Sequence, residues 1–297
     1  MIKEIIDKLV ALLAVSALLA SCSESELWQN PQTEARDGYI MLNFKTEIPA
    51  MQEVVTRAVD PDGGGVQDMT LFCFDSYGLF ISTVKAGVTV QKPGPGEMEG
   101  TFKAEVPENT RTIHFLANQN MDEFKEDSFR NKSESEVMAV LEGSSGRMIY
   151  WGRFACDAGN DSNIAEQMAT SGNSVKLIRN HARISVDNPD NNGHIVITGF
   201  AVCNTNAFGT VAPHHPKKGF DFTWPSSDDP FVTLPVNDAK MSDITDVTSS
   251  MNQYVFECEN SADAPVSVIL RGHLPDQDEE KYYRVLLVDD KGEQLLV

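Results

Sequence analysis

The chain has 297 residues, and its 24 lysines and arginines are outnumbered by 44 aspartates and glutamates, which gives a formal net charge of -20. This balance excludes the basic patch that nucleic-acid binding requires, and it disfavours binding to anionic lipid headgroups. A chain of this length exceeds what a single small core usually occupies, so we expect two domains.

The N-terminus has the pattern of a secretory signal. Lys3 and Lys8 lie in a charged start, and Leu9 to Ala20 is a continuous run of small and apolar residues. This run is shorter than the roughly 20 residues that a membrane-spanning helix requires, which favours export over permanent insertion. Residues 1–21 are therefore predicted to be a signal peptide.

The signal segment ends in the pattern of a bacterial lipobox. Leu19-Ala20-Ser21-Cys22 places an apolar residue and two small residues before a cysteine. We predict that cleavage leaves Cys22 as the first mature residue and that acyl chains such as palmitate anchor the precursor in the outer membrane. One acyl chain binds only marginally, so durable anchoring takes more than one. The alternative is an ordinary signal peptide followed by a free thiol.

An acidic tether is predicted over residues 22–38. Its first residues, Ser23-Glu24-Ser25-Glu26, resemble the export tag that directs lipoproteins of Bacteroidetes-type bacteria to the outer face of the outer membrane. The alternative for these residues is a solvated spacer without a targeting role.

The N-terminal domain is predicted over residues 39–186 and consists mainly of strands, because its apolar residues mostly alternate with polar ones. Tyr39 to Thr46 is the first predicted strand. Ser76-Tyr77-Gly78 is a turn that joins the next two as a hairpin. Ser133 to Leu141 is predicted to be the one short helix, with Ser135 near its start. The remaining predicted strands are Val66–Asp75, Leu79–Lys85, Val88–Val90, Gly100–Val106, Thr110–Ala117, Met148–Phe154 and Val175–Val186.

A linker and a second β domain follow. Asp187 to Gly193 consists of seven turn-forming residues without an apolar one, which predicts a domain boundary at 187–193. The C-terminal domain is predicted over residues 194–297, with Asn206 to Asp229 as a long loop. Its predicted strands are His194–Cys203, Phe231–Pro235, Tyr254–Cys258, Val266–Arg271 and Tyr282–Val288. Many short strands and little helix favour β-sandwiches.

Four cysteines remain besides Cys22: Cys73, Cys156, Cys203 and Cys258. An even number in an exported chain permits disulfides, but the spacing is wide and contains no Cys-x-x-Cys pair. Most of them lie in apolar strand-like runs, where a cysteine acts as a small core residue. We expect four free thiols, and disulfide pairing is the open alternative.

No catalytic or metal-binding pattern accompanies these strands. The sequence has no Gly-x-Ser-x-Gly, and Gly63-Gly64-Gly65 lacks the Lys-Ser/Thr of a phosphate-binding loop. His214-His215 has no nearby cysteine or carboxylate at the spacing that a metal site needs. We therefore expect no enzyme, no cofactor and no metal.

Several segments, taken in chain order, resemble the fimbrillin family, whose members build the type V pili of Bacteroidetes and related surface proteins. Each segment is short, and it is their order and spacing that carry the resemblance over nearly all of the mature chain. The segments are Thr56-Arg57-Ala58, Leu71 to Gly78, Ile113 to Asn118, Leu177 to Val186, Tyr254 to Glu257, Val266 to Gly272 and Tyr282 to Arg284.

The resemblance implies a fold and a mode of assembly. The fold is all-β, with two tandem Greek-key (transthyretin-like) β-sandwich domains. In the family, a trypsin-like, Arg-specific protease cuts the lipoprotein precursor after an arginine beyond the first strand. Here the cut would fall between Arg57 and Ala58, and the alternative for Arg57 is an exposed basic residue in a flexible loop. The strand that would be displaced comprises Tyr39, Ile40, Met41, Leu42, Asn43 and Phe44.

Removal of the first strand would leave unpaired backbone groups beside an apolar groove. A strand of the next subunit can fill such a groove, and because donor and acceptor surfaces differ, the contact generates a filament. One departure from the family is that the chain stops at Val297, where members continue into one or two closing strands. Either the sequence is truncated there, or its last strand ends flush with Val297.

The expected function is therefore that of an adhesive fimbrial subunit, whose partners are other fimbrial subunits, the outer membrane and the protease. Its expected location is the cell surface, lipid-anchored in the outer membrane, and the fimbrium after processing. Two alternatives stay open: an anchor or accessory subunit that keeps its lipid at Cys22, and a surface glycan-binding lipoprotein. Exposed aromatic residues in the Asn206–Asp229 loop, Trp224 in particular, would favour the last.

Overall fold

The computed structural model describes part of the chain. The described residues are 35–47, 66–94, 97–122, 124–144, 148–186, 195–206, 208–215, 218–224, 252–256, 260, 262–263, 265–289 and 291–292. The predicted signal peptide, Cys22, Arg57, Ala58 and the predicted linker 187–193 lie outside these residues. Within them the protein is mostly β-strand arranged in antiparallel sheets, so the predicted all-β sandwich class is confirmed.

The described residues form sixteen strands and two short helices. The strands are β1 (Tyr39–Glu47), β2 (Met69–Phe74), β3 (Phe80–Lys85), β4 (Gly87–Gly94), β5 (Glu97–Pro107), β6 (Thr112–Ala117), β7 (Glu142–Ser144), β8 (Tyr150–Ala155), β9 (Ser174–Lys176), β10 (Ile178–Arg179), β11 (His181–Ser185), β12 (Val196–Cys203), β13 (Phe208–Thr210), β14 (Asn252–Phe256), β15 (Ser267–His273) and β16 (Lys281–Leu286). The helices are α1 (Glu134–Met138) and α2 (Ile164–Thr170). Neither is long and apolar enough to cross a membrane.

Two sheets enclose the core of the N-terminal sandwich. One has the strand order β4-β5-β1-β9 and the other the order β10-β8-β6-β2-β3. Apolar side chains of both sheets and of α2 meet between them because each strand directs alternate residues inward. This core contains Leu42, Phe44, Met69, Leu71, Phe102, Val106, Ile113, Phe115, Tyr150, Ile164, Met168, Val175 and Leu177.

The second sheet is covered on both faces. Every residue of β2 and of β6 is buried. The outer face packs against Val137 and Met138 of α1 and against four residues of the later chain, which are Val211, Ala212, Phe220 and Phe222. Double coverage explains why Leu71-Phe72-Cys73-Phe74 is a continuous apolar run, since a strand that is covered on one face alone would alternate.

A smaller group of strands belongs to the C-terminal part of the chain. β15 lies between β12 and β16 in a three-stranded sheet, and β11 pairs with β14. Phe200, Val202, Val255, Val266 and Val268 form the core between them. A further pairing joins β7 to β13, so that residues from both halves of the chain share a two-stranded sheet.

The predicted strand Val175–Val186 was wrong as a single element. Its residues form β9, β10 and β11, which pair with β1, β8 and β14 respectively. Leu177 and Asn180 lie between the short strands, and Asn180 bonds to the backbone of Ile149. Because β11 pairs with a strand beyond the linker, residues of the predicted N-terminal domain take part in a C-terminal sheet. The boundary at 187–193 stays a prediction.

The helix prediction was incomplete. The predicted helix Ser133–Leu141 corresponds to α1, whose N-cap is Ser133 in a capping box with Glu136. The second helix, α2, was missed although Asn163 and Glu166 form the same kind of box. Its segment is rich in Asn, Ser and Gly, which favoured a loop. The predicted Asn206–Asp229 loop likewise contains β13, whose strand character depends on distant β7.

Candidate functional site beneath the first strand

The first strand has the alternation that a groove-filling segment requires. Ile40, Leu42 and Phe44 point into the sandwich and are 9%, 1% and 0% exposed, and Thr46 is fully buried as well. The intervening residues are partly exposed, and Tyr39 at the start of the strand is 37% exposed. An apolar trough therefore lies beneath β1 along nearly its whole length.

The two edges of β1 are paired very unequally. β5 runs antiparallel to it over eight residue pairs, from Tyr39 opposite Pro107 to Thr46 opposite Gly100. β9 pairs with it in parallel at Lys45–Glu47 alone. The backbone of β1 is thus held mainly by β5, and a strand replacing it would have to meet β5 in the same antiparallel direction.

Aromatic packing anchors the centre of the strand. The ring of Phe44 stacks on Phe102 of β5 with centroids 5.5 Å apart, and it meets the edge of Phe115 in the facing sheet at 5.0 Å. Full burial of an aliphatic or aromatic side chain contributes about 1.5–3 kcal/mol, so Ile40, Leu42 and Phe44 together contribute about 5–9 kcal/mol. This is comparable to the total stability of many domains.

Helix α2 is a further neighbour of β1. The helix packs against the strand, and Ile164, Ala165 and Met168 enter the same core as Phe44. The capping box of Asn163 and Glu166 fixes where this helix begins. A strand that entered the trough would consequently contact β5, the facing sheet and α2.

The start of β1 is held by exposed polar contacts. Arg36 donates from Nε to Glu105 at 2.7 Å, and its guanidinium lies 4.2 Å from the centre of the Tyr39 ring. Exposed ion pairs contribute about 0–1 kcal/mol. An open cleft of about 580 Å³ adjoins this end, and Ile40, Glu108, Asn109, Arg111 and Asn163 are among the residues that line it. The strand is therefore bound loosely at its first residue and tightly at Phe44.

The structure places the six residues of the predicted displaced strand together on β1. It does not describe Cys22, Arg57 or Ala58, so lipidation and cleavage stay predictions. The described chain leaves β1 at Glu47 and resumes at Val66, shortly before β2 of the facing sheet begins at Met69. Arg57 is located in the intervening segment, and a cut there would leave β1 attached to the remainder by non-covalent contacts alone.

A second cluster, which the sequence interpretation missed, lies on the outer face of the second sheet. Trp151 donates from Nε1 to Nδ1 of His114 at 3.0 Å, and His114 Nε2 lies 2.7 Å from a carboxylate oxygen of Glu134. Arg153 forms two hydrogen bonds to the same carboxylate, at 2.7 and 3.1 Å. Phe222 of the later chain packs edge-on against His114 with ring centroids 4.7 Å apart.

The geometry fixes the protonation of this cluster. Because Nδ1 of His114 accepts from Trp151, the ring proton is on Nε2 and is donated to Glu134. Burial lowers the pKa of His114 below its ordinary value of 6.5. Burial raises the pKa of Glu134, but its hydrogen bonds to His114 and Arg153 outweigh this and bring the pKa to about 2.

This cluster is built to hold the fold together. His114 is fully buried and both of its ring nitrogens are engaged, so no substrate atom reaches it. The ionised Glu134 ties α1 to β6 and β8, and Phe222 fixes a segment of the later chain over the imidazole. No sequence pattern indicates the cluster, because its members lie 19 to 37 residues apart and meet through sheet pairing.

The remaining candidate residues are His214, Trp224 and the cysteines. His214 meets Phe220 edge-on at 4.8 Å, and the described residues contain no group of three potential metal ligands. Trp224 is 44% exposed, whereas Phe220 and Phe222 in the same segment pack against the core. Cys73, Cys156 and Cys203 are free thiols, and burial raises the pKa of Cys73 to about 12. Cys258 lies outside the described residues.

The fold and this site define an all-β sandwich protein whose first strand fills an apolar trough. No protein-family model and no curated protein matches the chain. One similar solved structure, from Parabacteroides distasonis, has a provisional assignment as a cell adhesion protein. It is 13% identical, with a TM-score of 0.46, over 82% of this chain and 78% of that chain.

A second similar structure is the fimbrial anchor protein Mfa2 from Porphyromonas gingivalis. It is 12% identical, with a TM-score of 0.26, over 82% of each chain. At these identities and TM-scores the likeness assigns neither family membership nor activity to this chain.

Proposed function

We propose that the chain is a structural subunit of an adhesive cell-surface fimbria. It is exported as a lipoprotein acylated at Cys22, cut between Arg57 and Ala58 by an Arg-specific protease, and assembled with other subunits by strand exchange. Its predicted organisation is a tether over 22–38 and two β domains joined at 187–193. One observation carries the proposal: Ile40, Leu42, Phe44 and Thr46 fill the centre of a sandwich to which β1 is joined through the segment containing Arg57.

The energetics favour replacement over simple loss of the strand. The burial that β1 contributes, about 5–9 kcal/mol from three side chains, is too large for the cut segment to leave readily. An incoming strand that pairs with β5 and fills the trough recovers both the hydrogen bonds and the burial. Exchange therefore proceeds along the strand, and it begins at Tyr39, where the exposed contacts of Arg36 are weak.

The direction of assembly follows from the geometry. The acceptor surface is the trough beneath β1, and the donor is an extended segment of another subunit. Because these are different surfaces, each subunit accepts at one place and donates at another, which produces a filament rather than a closed dimer. After processing, the subunit leaves the outer membrane with its fimbrium, since the lipid departs with residues 22–57.

The main alternative is an anchor subunit that retains its lipid. Such a subunit would have the same fold and lipobox, and it would differ only in that the protease does not cut it. A glycan-binding function receives less support. Two of the three aromatic residues at 220–224 face the core, and Trp224 alone of them is exposed. A carbohydrate platform of several exposed rings is therefore not formed by this segment.

N-terminal sequencing of the surface protein separates the subunit from the anchor. A start at Ala58 supports the polymerising subunit, and an acylated Cys22 supports the anchor. Cells that express Arg57→Ala should export the protein and form no filaments. Arg130→Ala is the matched control, because Arg130 is an exposed arginine that lies outside residues 22–57. Normal filaments from the Arg57→Ala cells would contradict the proposal.

A further inference from the structure

Two glycines form a flat patch where β7 meets β13. Gly143 and Gly209 lie directly opposite each other in this pairing, and both are buried. Opposite residues of an antiparallel pair direct their side chains to the same face, so this face has no side chain at either position. Because β7 belongs to the N-terminal half of the chain and β13 to the C-terminal half, the patch is built from both halves.

The ring of Phe256, on β14, rests on this patch. A Cβ atom at Gly209 would lie 2.5 Å from Cδ1 of Phe256, and one at Gly143 would lie 2.9 Å from its Cε1. Carbon atoms in van der Waals contact are about 3.5–4.0 Å apart, so neither methyl group fits unless the ring moves. Phe256 is fully buried. Its close approach to the backbone is what requires glycine at both positions.

The patch is fixed to the N-terminal sandwich through β7. Gln119, two residues beyond the end of β6, donates from Nε2 to the carbonyl of Glu142 at 3.0 Å. Asn180 borders Gly143, since a Cβ atom there would lie 2.6 Å from Nδ2 of Asn180. A movement of β7 away from the sandwich would therefore disturb both amide side chains.

The chain passes from the N-terminal sandwich into a C-terminal sheet through one residue. β10 pairs with β8 and ends at Arg179, and β11 pairs with β14 and begins at His181. Asn180 lies between them, is buried, and exchanges hydrogen bonds with Ile149: its N–H donates at 3.1 Å and its Oδ1 accepts at 3.3 Å. The ring of His181 lies against Phe256 with centroids 4.0 Å apart. This junction leaves little length of chain that could bend.

We propose that Phe256, seated on Gly143 and Gly209, is a lock that makes the N-terminal sandwich and the C-terminal sheets one cooperative unit. To separate the two parts, a fully buried ring must leave its patch and β7 must part from β13. Each part therefore loses contacts when the other opens. Tandem domains joined by a flexible linker would instead open one at a time.

The lock affects how a fimbrial subunit would respond to tension. In a filament, the trough beneath β1 would be pulled against the remainder of the subunit, and the lock would transmit this pull to the C-terminal sheets without bending between the two parts. This consequence rests on the proposed function. The lock itself does not, because it is present in the uncut chain with β1 in place.

Calorimetry of the purified uncut protein tests the lock. The parent chain should unfold in one transition whose calorimetric and van't Hoff enthalpies agree. Gly209→Ala should unfold in two transitions, because the added methyl group displaces Phe256. Gly87→Ala is the matched control and should retain one transition, since Gly87 is an exposed strand glycine whose added Cβ would lie 3.9 Å from the carbonyl oxygen of Lys103. Two transitions in the parent chain, or one in Gly209→Ala, would overturn the proposal.

A cycle of variants tests whether the ring rests on Gly209. Gly209→Ala should lower the melting temperature of the parent chain, and it should lower that of Phe256→Ala by less than half as much, because the methyl group then has no ring to displace. Equal shifts in the two backgrounds would contradict the contact on which the lock depends.

Hydrogen exchange of the parent chain tests cooperativity without any variant. β6 is a central strand of the N-terminal sandwich, and β15 is the central strand of a C-terminal sheet. If the two parts open together, the most protected amides of both strands should have equal protection factors. Protection that differs by more than about tenfold between β6 and β15 would show that one part opens without the other, and it would overturn the proposal.

Discussion

Phe44 of the first strand stacks on Phe102 of its neighbour with ring centroids 5.5 Å apart and an interplanar angle of 18°. Both rings are fully buried. This contact joins the segment that is proposed to be removed to the segment that is proposed to receive its replacement. The stability of the precursor and the proposed assembly therefore depend on the same contact.

Phe44→Ala should lower the free energy of unfolding by about 3–5 kcal/mol, because it leaves a cavity among Phe102, Phe115 and Leu42. Met41→Ala on the opposite face of β1 is the control, and it should cost well under half as much since Met41 is only partly buried. Urea unfolding of both variants measures the difference. Equal losses would show that β1 is not anchored through its inward face.

Thr46→Val should stabilise the protein by about 1 kcal/mol. The Thr46 hydroxyl is buried and has no hydrogen-bond partner among the described residues, so it carries a desolvation cost that a methyl group avoids. Thr210→Val is the matched control. Its hydroxyl donates to the carbonyl of Ala212 at 2.8 Å, so the same substitution there should destabilise by about 1 kcal/mol. Thermal unfolding of both variants measures whether stability rises for Thr46→Val and falls for Thr210→Val.

Ser133→Ala should cost about 0.5–2 kcal/mol, because Ser133 caps α1 and accepts from the Glu136 backbone at 3.3 Å. Ser135→Ala should be neutral or slightly stabilising, since Ser135 is exposed within the helix and alanine has the higher helix propensity. Unfolding free energies of the two variants measure the difference, and equal values would contradict the assignment of Ser133 as the N-cap.

Acid should destabilise the protein in two overlapping ranges. The pKa of His114 is lowered in the folded state, so the unfolded chain binds the extra proton first and stability falls as pH drops below 6.5. The pKa of Glu134 is lowered from 4.5 to about 2, so its contribution is present above 4.5 and is lost as pH falls toward 2. Protonated His114 would also set a second N–H against the indole N–H of Trp151.

Substitution of His114 separates its contribution to the pH dependence of stability from that of Glu134. His114→Gln should flatten the dependence of unfolding free energy on pH between 7.5 and 5.5, whereas Thr210→Val, which removes a hydroxyl that does not titrate, should leave that dependence unchanged. Urea unfolding at several pH values measures both slopes. An unaltered slope in His114→Gln would contradict the assignment of a neutral, buried imidazole.

Local patterns in the sequence were sufficient to predict β1 and the hairpin of β2 and β3. Alternation placed β1 to within one residue, and Ser76-Tyr77-Gly78 marked the turn. They were insufficient where distant partners decide the structure. Local periodicity predicts one strand over Val175–Val186, but these residues form short strands that belong to three different sheets.

The polar cluster illustrates the same principle at a site. His114, Glu134, Arg153 and Trp151 come from β6, α1 and β8, and the pairing of Leu116 with Trp151 across the sheet brings their elements together. The sequence neighbours of each residue give no sign that it belongs to a cluster. Only the tertiary structure reveals that an ion pair and a buried imidazole hold the outer face of the sheet.

The most direct test of strand replacement is hydrogen exchange of β5 in isolated fimbriae compared with the uncut precursor. The account predicts that subunits in the fimbriae lack residues 39–47, yet the amides of Phe102, Ala104 and Val106, which face β1, exchange as slowly as in the precursor because a neighbour's strand pairs with them. Fimbriae whose subunits retain residues 39–47, or in which these β5 amides exchange freely, would contradict it.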